Sequence, residues 1–504
     1  MAQRAVALGA GALVAALALG PVAAVLWRAG GFGAFAPGDG QALRFTLWQA
    51  ALSAALSVAL AVPVARALAR RDFPGRSLLV ALLGAPFILP VIVAVLGLIA
   101  VFGNSGIVNG ALEALGLPGI TIYGAHGVIV AHVFFNLPLA TRMILQGWLA
   151  LPGERLRLAA ELGLGPREVF RVVEWPMLRR IAPQAAAVIF VICLSSFAVA
   201  LTLGGGPRAT TVELAIYQAM RFDFDLGRAA MLACLQLALA LAAGLVALRL
   251  SGAAGMGAGL DRVVPRWDAA RRSARALDAA AIALAALFLL TPLALVAWNG
   301  VPGLADLGWP VWRAAGQSLG VALASTALCL LWALPLATRW GEVMGLLGIA
   351  ISPLVLGTGL FVIVRPYVNP VALALPVTAL VNALMALPFA LRILRPEAEA
   401  IRTDFARLSA ALGLSGRVWV TRILLPRLRR PLGFAAGLTA ALSMGDLGVI
   451  ALFADPERAT LPLQVYRLMG SYRMEAAQGA ALLLLALSLG LFWGFDRGGR
   501  NAGA

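Results

Sequence analysis

Long apolar runs restrict the fold of this 504-residue chain more than any other feature. Clear examples are Val6–Leu26, Ser77–Phe102, Ala182–Leu203 and Ala279–Trp298. Each is about as long as the roughly 20 residues that a helix needs to cross a bilayer. Only 12% of the residues are charged, and a soluble protein of this length would need far more charge to cover its core. The sequence therefore predicts an all-α, polytopic membrane protein of about twelve transmembrane helices.

The first apolar run follows Arg4 and therefore shares one feature with a secretory signal peptide. It is longer than the roughly 7–15 residues of the apolar region of such a peptide, and no clear cleavage site follows it. We therefore expect a retained first helix.

Arginine placement predicts the topology, because the cytoplasmic loops of membrane proteins carry an excess of basic residues. All 40 basic residues are arginine, and arginine-rich segments alternate with segments that contain none, such as 103–123 and 299–311. We assign the rich segments to the cytoplasm, with both termini inside and six helices in each half. The arginine-rich segments are Arg66–Arg76, Glu154–Arg180, Arg249–Arg275 and Arg392–Arg430.

Composition also excludes several functions. The formal charge of +17 is assigned to cytoplasmic loops and lipid headgroups rather than to nucleic acid. Because the chain has no lysine, it has no Walker A motif and carries no P-loop ATPase. Its three cysteines lie singly in apolar runs, and His126 and His132 do not share a helical face. We therefore predict no metal site, no nucleic-acid partner and no catalytic residue.

The chain repeats itself at a spacing of 250 residues. The segment Arg157–Arg180 matches Arg407–Arg430 at 11 of 24 positions, including a glycine and, thirteen residues later, a proline. We therefore predict two homologous six-helix halves, residues 1–255 and 256–504, related by a pseudo-two-fold axis along the membrane normal.

Both copies of the repeated segment lie in arginine-rich, cytoplasmic loops and have a helical apolar pattern that ends at Gly163 or Gly413. Glycine at that position supplies the positive φ that ends a helix and turns the chain. A proline, Pro176 or Pro426, follows before the next membrane span. The sequence predicts a compact helical hairpin, presented twice, and two equivalent surfaces suit a symmetric pair of partner subunits.

These hairpins resemble the EAA loop of the MetI-like permeases of binding-protein-dependent ABC importers. Arg157 and Arg407 stand where that family usually has glutamate. The resemblance implies two copies of an ABC ATPase that hold ATP and magnesium, a periplasmic substrate-binding protein, no cofactor on this chain, and a bacterial inner membrane. The alternative is a merely amphipathic loop at the lipid interface. The resemblance implies coupling to the ATPase through Ala159, Ala160, Glu161, Gly163, Pro176, Ala410, Ala411, Gly413 and Pro426.

Two further stretches, 201–219 and 443–473, resemble the fused two-half permeases for thiamine and thiamine pyrophosphate, and the similarity extends over most of the chain. It implies alternating access driven by the separate ATPase. Fused ferric-iron permeases share this architecture and are the alternative. A glycine run at 204–206 also fits anion binding, although an outer turn suits its position better. On the resemblance, the residues that face the binding protein are Gly204, Gly205, Gly206, Arg208, Asp455 and Arg458.

Asp446 is an ionisable residue inside an apolar run, where a charge requires a partner, water or a function. Either it lines the translocation path and attracts a cationic thiazolium, or it bonds to a neighbouring helix. Ser196 is its counterpart in the first half, and Asn136 is a further polar residue of that region. An ion-driven secondary transporter, the competing class, would be expected to carry buried acids at matching positions in both halves, and Asp446 has no such match.

Overall fold

The structure is a computed structural model, and it confirms an all-α polytopic membrane protein. Within the described residues there is no strand, and eleven helices are long and apolar enough to cross a membrane. A further apolar helix, Pro353–Val364, is shorter. The described residues are 2–28, 35–84, 88–250, 267, 271–338, 341, 345, 351–414, 416–453 and 457–501.

Twelve α-helices precede residue 251. The predicted first helix is present as α1. In chain order the helices are α1 (Ala2–Arg28), α2 (Asp39–Arg70), α3 (Arg76–Leu82), α4 (Val91–Phe102), α5 (Ile107–Ala114), α6 (Ala125–Leu149), α7 (Gly153–Glu161), α8 (Pro166–Val169), α9 (Trp175–Leu194), α10 (Ala198–Leu203), α11 (Val212–Arg221) and α12 (Leu226–Leu250).

After the predicted boundary at 255/256, which lies outside the described residues, the helical pattern resumes. The helices described there are α13 (Arg272–Gly303), α14 (Trp309–Leu336), α15 (Pro353–Val364), α16 (Ala374–Asp404), α17 (Ala406–Ala411), α18 (Gly416–Trp419), α19 (Leu425–Arg427), α20 (Arg429–Met444), α21 (Gly448–Phe453), α22 (Leu461–Gly470) and α23 (Met474–Asn501).

Local irregularities recur at the same spacing of 250 residues. One turn of π-helix spans Phe170–Glu174 and another spans Val420–Leu424. Each lies just before a proline, which lacks the N–H that a regular helix would use, so the wider turn accommodates the missing bond. A membrane helix breaks after Leu194 and resumes at Ala198, and the same break separates Met444 from Gly448.

The first helix of each half packs against the other half. Helix α1 lies against α14 and α15, whereas α13 lies against α2 and α4. The two crossings are alike. A Cβ atom on Gly97 of α4 would lie 2.6 Å from the carbonyl oxygen of Pro292 in α13, and one on Gly359 of α15 would overlap the carbonyl of Pro21 in α1. Glycine is therefore required at both crossings, where the helix backbones touch.

Buried ion pairs hold both ends of α2, one of them to the exchanged helix α13. Asp278, near the start of α13, accepts from Arg70 Nε at 2.8 Å and from Arg71 Nε at 2.7 Å, both at the end of α2. At the opposite end of α2, Asp39 accepts from Arg228 of α12 at 2.7 Å. Asp39 and Asp278 are both buried, so their charges are balanced by arginine rather than by water.

Two hydrophobic clusters follow from this exchange. One combines Val14 and Ala18 of α1 with the core of the second half. The other is built from α2, α4, α6 and α9 and includes Ala285 and Leu289 of α13. Each cluster is therefore completed by a helix from the other half of the chain.

We expect Gly97→Leu and Gly359→Leu each to destabilise the protein by about 1–3 kcal/mol, because a side chain at either position must displace a helix backbone. Gly320→Leu in α14 is the matched control, since nothing lies within 4 Å of a Cβ atom there. The measurement is thermal unfolding in detergent, monitored by size-exclusion chromatography. If all three variants unfold at the same temperature, the close backbone contacts at Gly97 and Gly359 are refuted.

Candidate functional site

The first hairpin follows α6 and has a small core of its own, formed by Leu156, Ala159, Val169 and Val173. Helix α7 ends at Glu161, and Gly163, two residues later, has a φ of +64°. The amide of Leu164 donates to the carbonyl of Ala159 at 3.0 Å, which closes the end of the helix. The predicted glycine stop is therefore present.

The second hairpin has the same geometry. Gly413 has a φ of +60°, and the amide of Leu414 donates to the carbonyl of Ser409 at 2.9 Å. Ser409 replaces Ala159 and is buried like it. The two loops that the sequence repeat singled out are thus closed by the same hydrogen bond.

Both hairpins expose apolar side chains. Leu158 and Leu162 are 56% and 66% exposed, and their counterparts Leu408 and Leu412 are 47% and 62% exposed. The two hairpins therefore expose leucines at matching positions. Most of the predicted coupling residues lie on this surface, and only Ala159 is buried: the exposed ones are Ala160, Glu161, Gly163, Pro176, Ala410, Ala411, Gly413 and Pro426.

The first hairpin is attached to the membrane helices by a buried carboxylate. Glu174, in the π-helical turn, is fully buried and lies 2.9 Å from Arg66 Nε of α2. Its other oxygen accepts from Trp148 Nε1 of α6 at 3.2 Å. The Arg66 guanidinium also lies 5.5 Å from the centre of the Phe170 ring. One residue therefore ties the hairpin to two membrane helices.

The second hairpin is held differently. Leu424 and Ala398 stand at the positions that correspond to Glu174 and Trp148. Here Trp419 Nε1 donates to Ser409 Oγ at 3.0 Å. The Arg427 guanidinium lies 3.9 Å from the centre of the Phe405 ring. The two hairpins share a backbone shape but not the contacts that support them.

The break in the first half is surrounded by polar groups. Ser196 Oγ lies 2.6 Å from His132 Nε2 of α6, and His132 Nδ1 lies 3.4 Å from Ser53 Oγ of α2. Thr211, which caps the start of α11, donates to the carbonyl of Ser196 at 3.4 Å. Helix α11 therefore starts at the depth of the break. Sequence inspection did not identify His132 as part of this group.

Asn136, one turn after His132 in α6, is buried. Its amide donates to the carbonyl of His132 at 2.8 Å and to Cys193 Sγ at 3.4 Å. The corresponding site of the second half has Asn382 in place of His132, and its amide donates to Ser443 Oγ at 3.0 Å. Asn136 thus joins α6 to α9 beside the break.

Asp446 lies within the second break. Its Oδ1 atom accepts from the amide of Gly448 at 3.2 Å, so it caps the start of α21. Its Oδ2 atom is buried and has no hydrogen-bond partner among the described residues. The structure brings the two breaks together: a methyl group on Gly448 would lie 4.0 Å from Cδ1 of Phe197, next to Ser196.

The glycine run lies at the end of α10, beside the start of α6. The amide of Gly124 donates to the carbonyl of Leu203 at 2.7 Å. Gly205 and Gly206 have φ of +66° and +136°, whereas Gly204 has an ordinary helical φ. The run forms a sharp turn, and Arg208 is exposed in the 3₁₀ turn that follows.

In the second half, Arg458 donates to the carbonyl of Val371 at 3.1 Å. The remaining predicted residue of this outer surface, Asp455, lies outside the described residues.

Glu213 is the main residue that sequence reasoning missed. It is fully buried in α11 and its Oε2 accepts from Ser352 Oγ at 2.7 Å. Its Oε1 has no hydrogen-bond partner among the residues that the structure describes. The available signal was a single acid among the apolar residues Val212, Leu214 and Ile216.

The described helices, with irregularities that recur at a spacing of 250 residues, are those of a polytopic membrane protein. No protein-family model matches the chain. The thiamine transport system permease protein ThiP of Brucella abortus is 40% identical over 510 residues, which cover 96% of this chain and 93% of that protein. The chain therefore belongs to the ThiP family of thiamine transport system permease proteins.

Two further ThiP proteins are similar over most of their length. That of Salmonella typhimurium is 42% identical over 468 residues, which cover 89% of this chain and 87% of the relative. That of Escherichia coli is 41% identical over 478 residues, which cover 91% and 89%. The predicted resemblance to permeases of this family is confirmed.

We expect Gly163→Ala to loosen the first hairpin, because alanine adopts a positive φ at a cost of about 1 kcal/mol. Nothing lies within 4 Å of a Cβ atom at Gly163, so the cost is in the backbone alone. Amide hydrogen exchange in α7 should become roughly fivefold faster. Gly153→Ala, at the start of the same helix, is the control that should not speed exchange, because alanine suits a helix better than glycine.

We expect Glu174→Leu, which installs the residue of the second hairpin, to destabilise the protein by roughly 2–3 kcal/mol. The substitution leaves Arg66 and Trp148 without their buried partner, and the cost is moderated because the Arg66 side chain is 23% exposed. Thermal unfolding followed by tryptophan fluorescence measures it. Glu399→Leu, in the surface pair with Arg395, is the control. Equal melting of the two variants would contradict a supporting role for Glu174.

Proposed function

We propose that this chain is the permease subunit of an ATP-driven importer that moves thiamine, or a thiamine phosphate, across the inner membrane of a bacterium. The observation that carries the proposal is the pair of hairpins closed by the same hydrogen bond and exposing matching leucines. Thiamine transport system permease proteins that are about 40% identical to nearly the whole chain support the substrate.

Two copies of a separate ABC ATPase bind the two hairpins. Leu158 and Leu162 on one hairpin, and Leu408 and Leu412 on the other, are the apolar contacts that such a partner covers. ATP and magnesium are held by that partner, because a chain without lysine has no P-loop. The permease itself contributes no cofactor and no bond-breaking residue.

Both termini and both hairpins lie in the cytoplasm. The arginine-rich segments and the hairpins share one side of the membrane on this assignment, which follows the positive-inside rule. The turn at Gly204–Gly206, Arg208 and Arg458 then lie on the outer side. There a periplasmic substrate-binding protein docks and releases its ligand.

Transport proceeds by alternating access between two bundles that correspond to residues 1–255 and 256–504. The bundles meet where Ser196–Phe197 of the first break approaches Gly448 of the second, and Asp446 lies beside this contact. Closure of the ATPase dimer moves the hairpins together, and the bundles then open towards the periplasm. Hydrolysis returns them. Asp446 and Ser196 lie on the path, and Asn136 supports it from behind.

The test is uptake of labelled thiamine and thiamine pyrophosphate into proteoliposomes that contain the permease, its ATPase and its binding protein. We expect uptake that requires ATP and that disappears in the double variant Gly163→Asp plus Gly413→Asp. Both glycines have positive φ and lie on the exposed hairpin surfaces, so aspartate there strains the turn and changes the charge of the docking surface. Gly153→Asp is the control for an added charge nearby.

ATP turnover that responds to the loaded binding protein, without movement of any thiamine compound, would leave the importer class intact and refute the substrate. Uptake driven by an ion gradient in the absence of ATP would refute the coupling role of the hairpins.

A further inference from the structure

Glu213 places a carboxylate at the seam between the two halves. It belongs to α11 of the first half, and Ser352, its hydrogen-bond donor, caps the start of α15 in the second half. The residue is 0% exposed, yet Oε1 has no hydrogen-bond partner among the described residues. Burial of an acidic oxygen without a partner is costly, so the position calls for a ligand or a donor.

Asp446 supplies a second acidic oxygen from the opposite half. Oδ1 is occupied by the amide of Gly448, and Oδ2 is buried and has no hydrogen-bond partner in the described part of the chain. Among the described residues, neither Asp446 nor Glu213 forms an ion pair. This distinguishes them from buried Asp39, Asp278 and Glu174, each of which has an arginine.

Aromatic rings lie beside these carboxylates. Tyr217 follows Glu213 by one helical turn, so both side chains lie on the same face of α11. The Tyr217 ring centre lies 5.3 Å from that of Phe197, at the first break. A π-face next to an acidic oxygen is a favourable environment for an organic cation, because both carry negative potential.

Contacts at Gly448 and Pro353 link the elements that carry the two acids and the two rings. A methyl group on Gly448 would lie 3.4 Å from Asp446 Oδ1, 3.9 Å from Pro353 Cβ and 4.0 Å from Phe197 Cδ1. Pro353 directly follows Ser352, the residue bonded to Glu213. Helix α11 also contacts both α15 and α21. Glu213, Tyr217, Phe197 and Asp446 therefore lie along one stretch of the seam.

The acids do not follow the internal repeat. The position that corresponds to Glu213 is Leu463, and the one that corresponds to Asp446 is Ser196. The hairpins, breaks and helix crossings do repeat. A pseudo-symmetric seam with unrepeated charges suits a ligand that is itself asymmetric, with a cationic end and a neutral end.

We propose that Glu213, Asp446, Phe197 and Tyr217 form a site for a flat, organic monocation that passes between the halves. The inference rests on the proposed function, in which the thiazolium ring of thiamine is that cation. One of the two acids, when ionised, balances the single positive charge in the low-dielectric seam, and the two rings contact the face of the heterocycle. Ser352 holds Glu213 in place until the cation arrives.

The test measures uptake of labelled thiamine and, separately, of a labelled uncharged analogue in which a neutral ring replaces the thiazolium, in proteoliposomes containing the ATPase and binding protein. ATP turnover stimulated by the loaded binding protein is measured in the same vesicles. In Glu213→Gln plus Asp446→Asn we expect thiamine uptake to fall about tenfold or more, and the preference for the charged compound to disappear. Stimulated ATP turnover stays unchanged, because the hairpins are intact.

Asp39→Asn is the matched control, since it neutralises a buried acid that lies outside the seam and has an arginine partner. It should keep the preference for the charged compound. Glu213→Asp, with Asp446 intact, should keep it too. Retention of the preference in the double variant would overturn the inference, and so would an equal fall in uptake of both compounds. If the unaltered protein moves no thiamine compound at all, the proposed function itself fails and the inference fails with it.

Discussion

The close contact of helix backbones at two glycines is the constraint on which the rest of this architecture depends. Gly97 receives α13 at Pro292, and Gly359 receives α1 at Pro21. In lipid, helices associate through close packing rather than through the hydrophobic effect, so small residues decide which helices approach. Each hydrophobic cluster contains a helix from the other half, and neither half has a complete core alone. The halves are therefore interlocked along a shared seam.

This interlocking bears on how a movement at a hairpin reaches the membrane interior. Glu174 joins the first hairpin to Arg66 of α2, and the end of the same helix binds Asp278 of α13. Charged contacts at the end of α2 thus link an exposed hairpin to α13, a helix that packs with both halves. The second hairpin relies on Trp419 and on Arg427 over Phe405 instead. Two identical partner subunits would therefore bind hairpins that are held to the membrane helices by different contacts.

The sequence predicted the helical class, the repeat and the hairpins, because long apolar runs, the 250-residue spacing and the helix-ending glycines are visible as local patterns. It did not predict the exchange of first helices or the seam between the halves. Glycines such as Gly97 look the same in sequence whether they face lipid or a neighbouring backbone. Glu213 was not singled out, because its partner Ser352 is distant in sequence and no periodicity predicts a contact between the halves. The breaks at Ser196 and Asp446 interrupt apolar runs that read as continuous spans.

The exchange of first helices has a consequence for biosynthesis. Helix α1 enters the bilayer long before its partner α15 has been translated, and α13 is the element that arrives late to complete the first half. During that interval α1 lacks α14 and α15 as neighbours, which fits its lack of charge beyond Arg4 and Arg28 and its high apolar content. Packing between the halves is thus completed only after α15, which ends at Val364, has been translated.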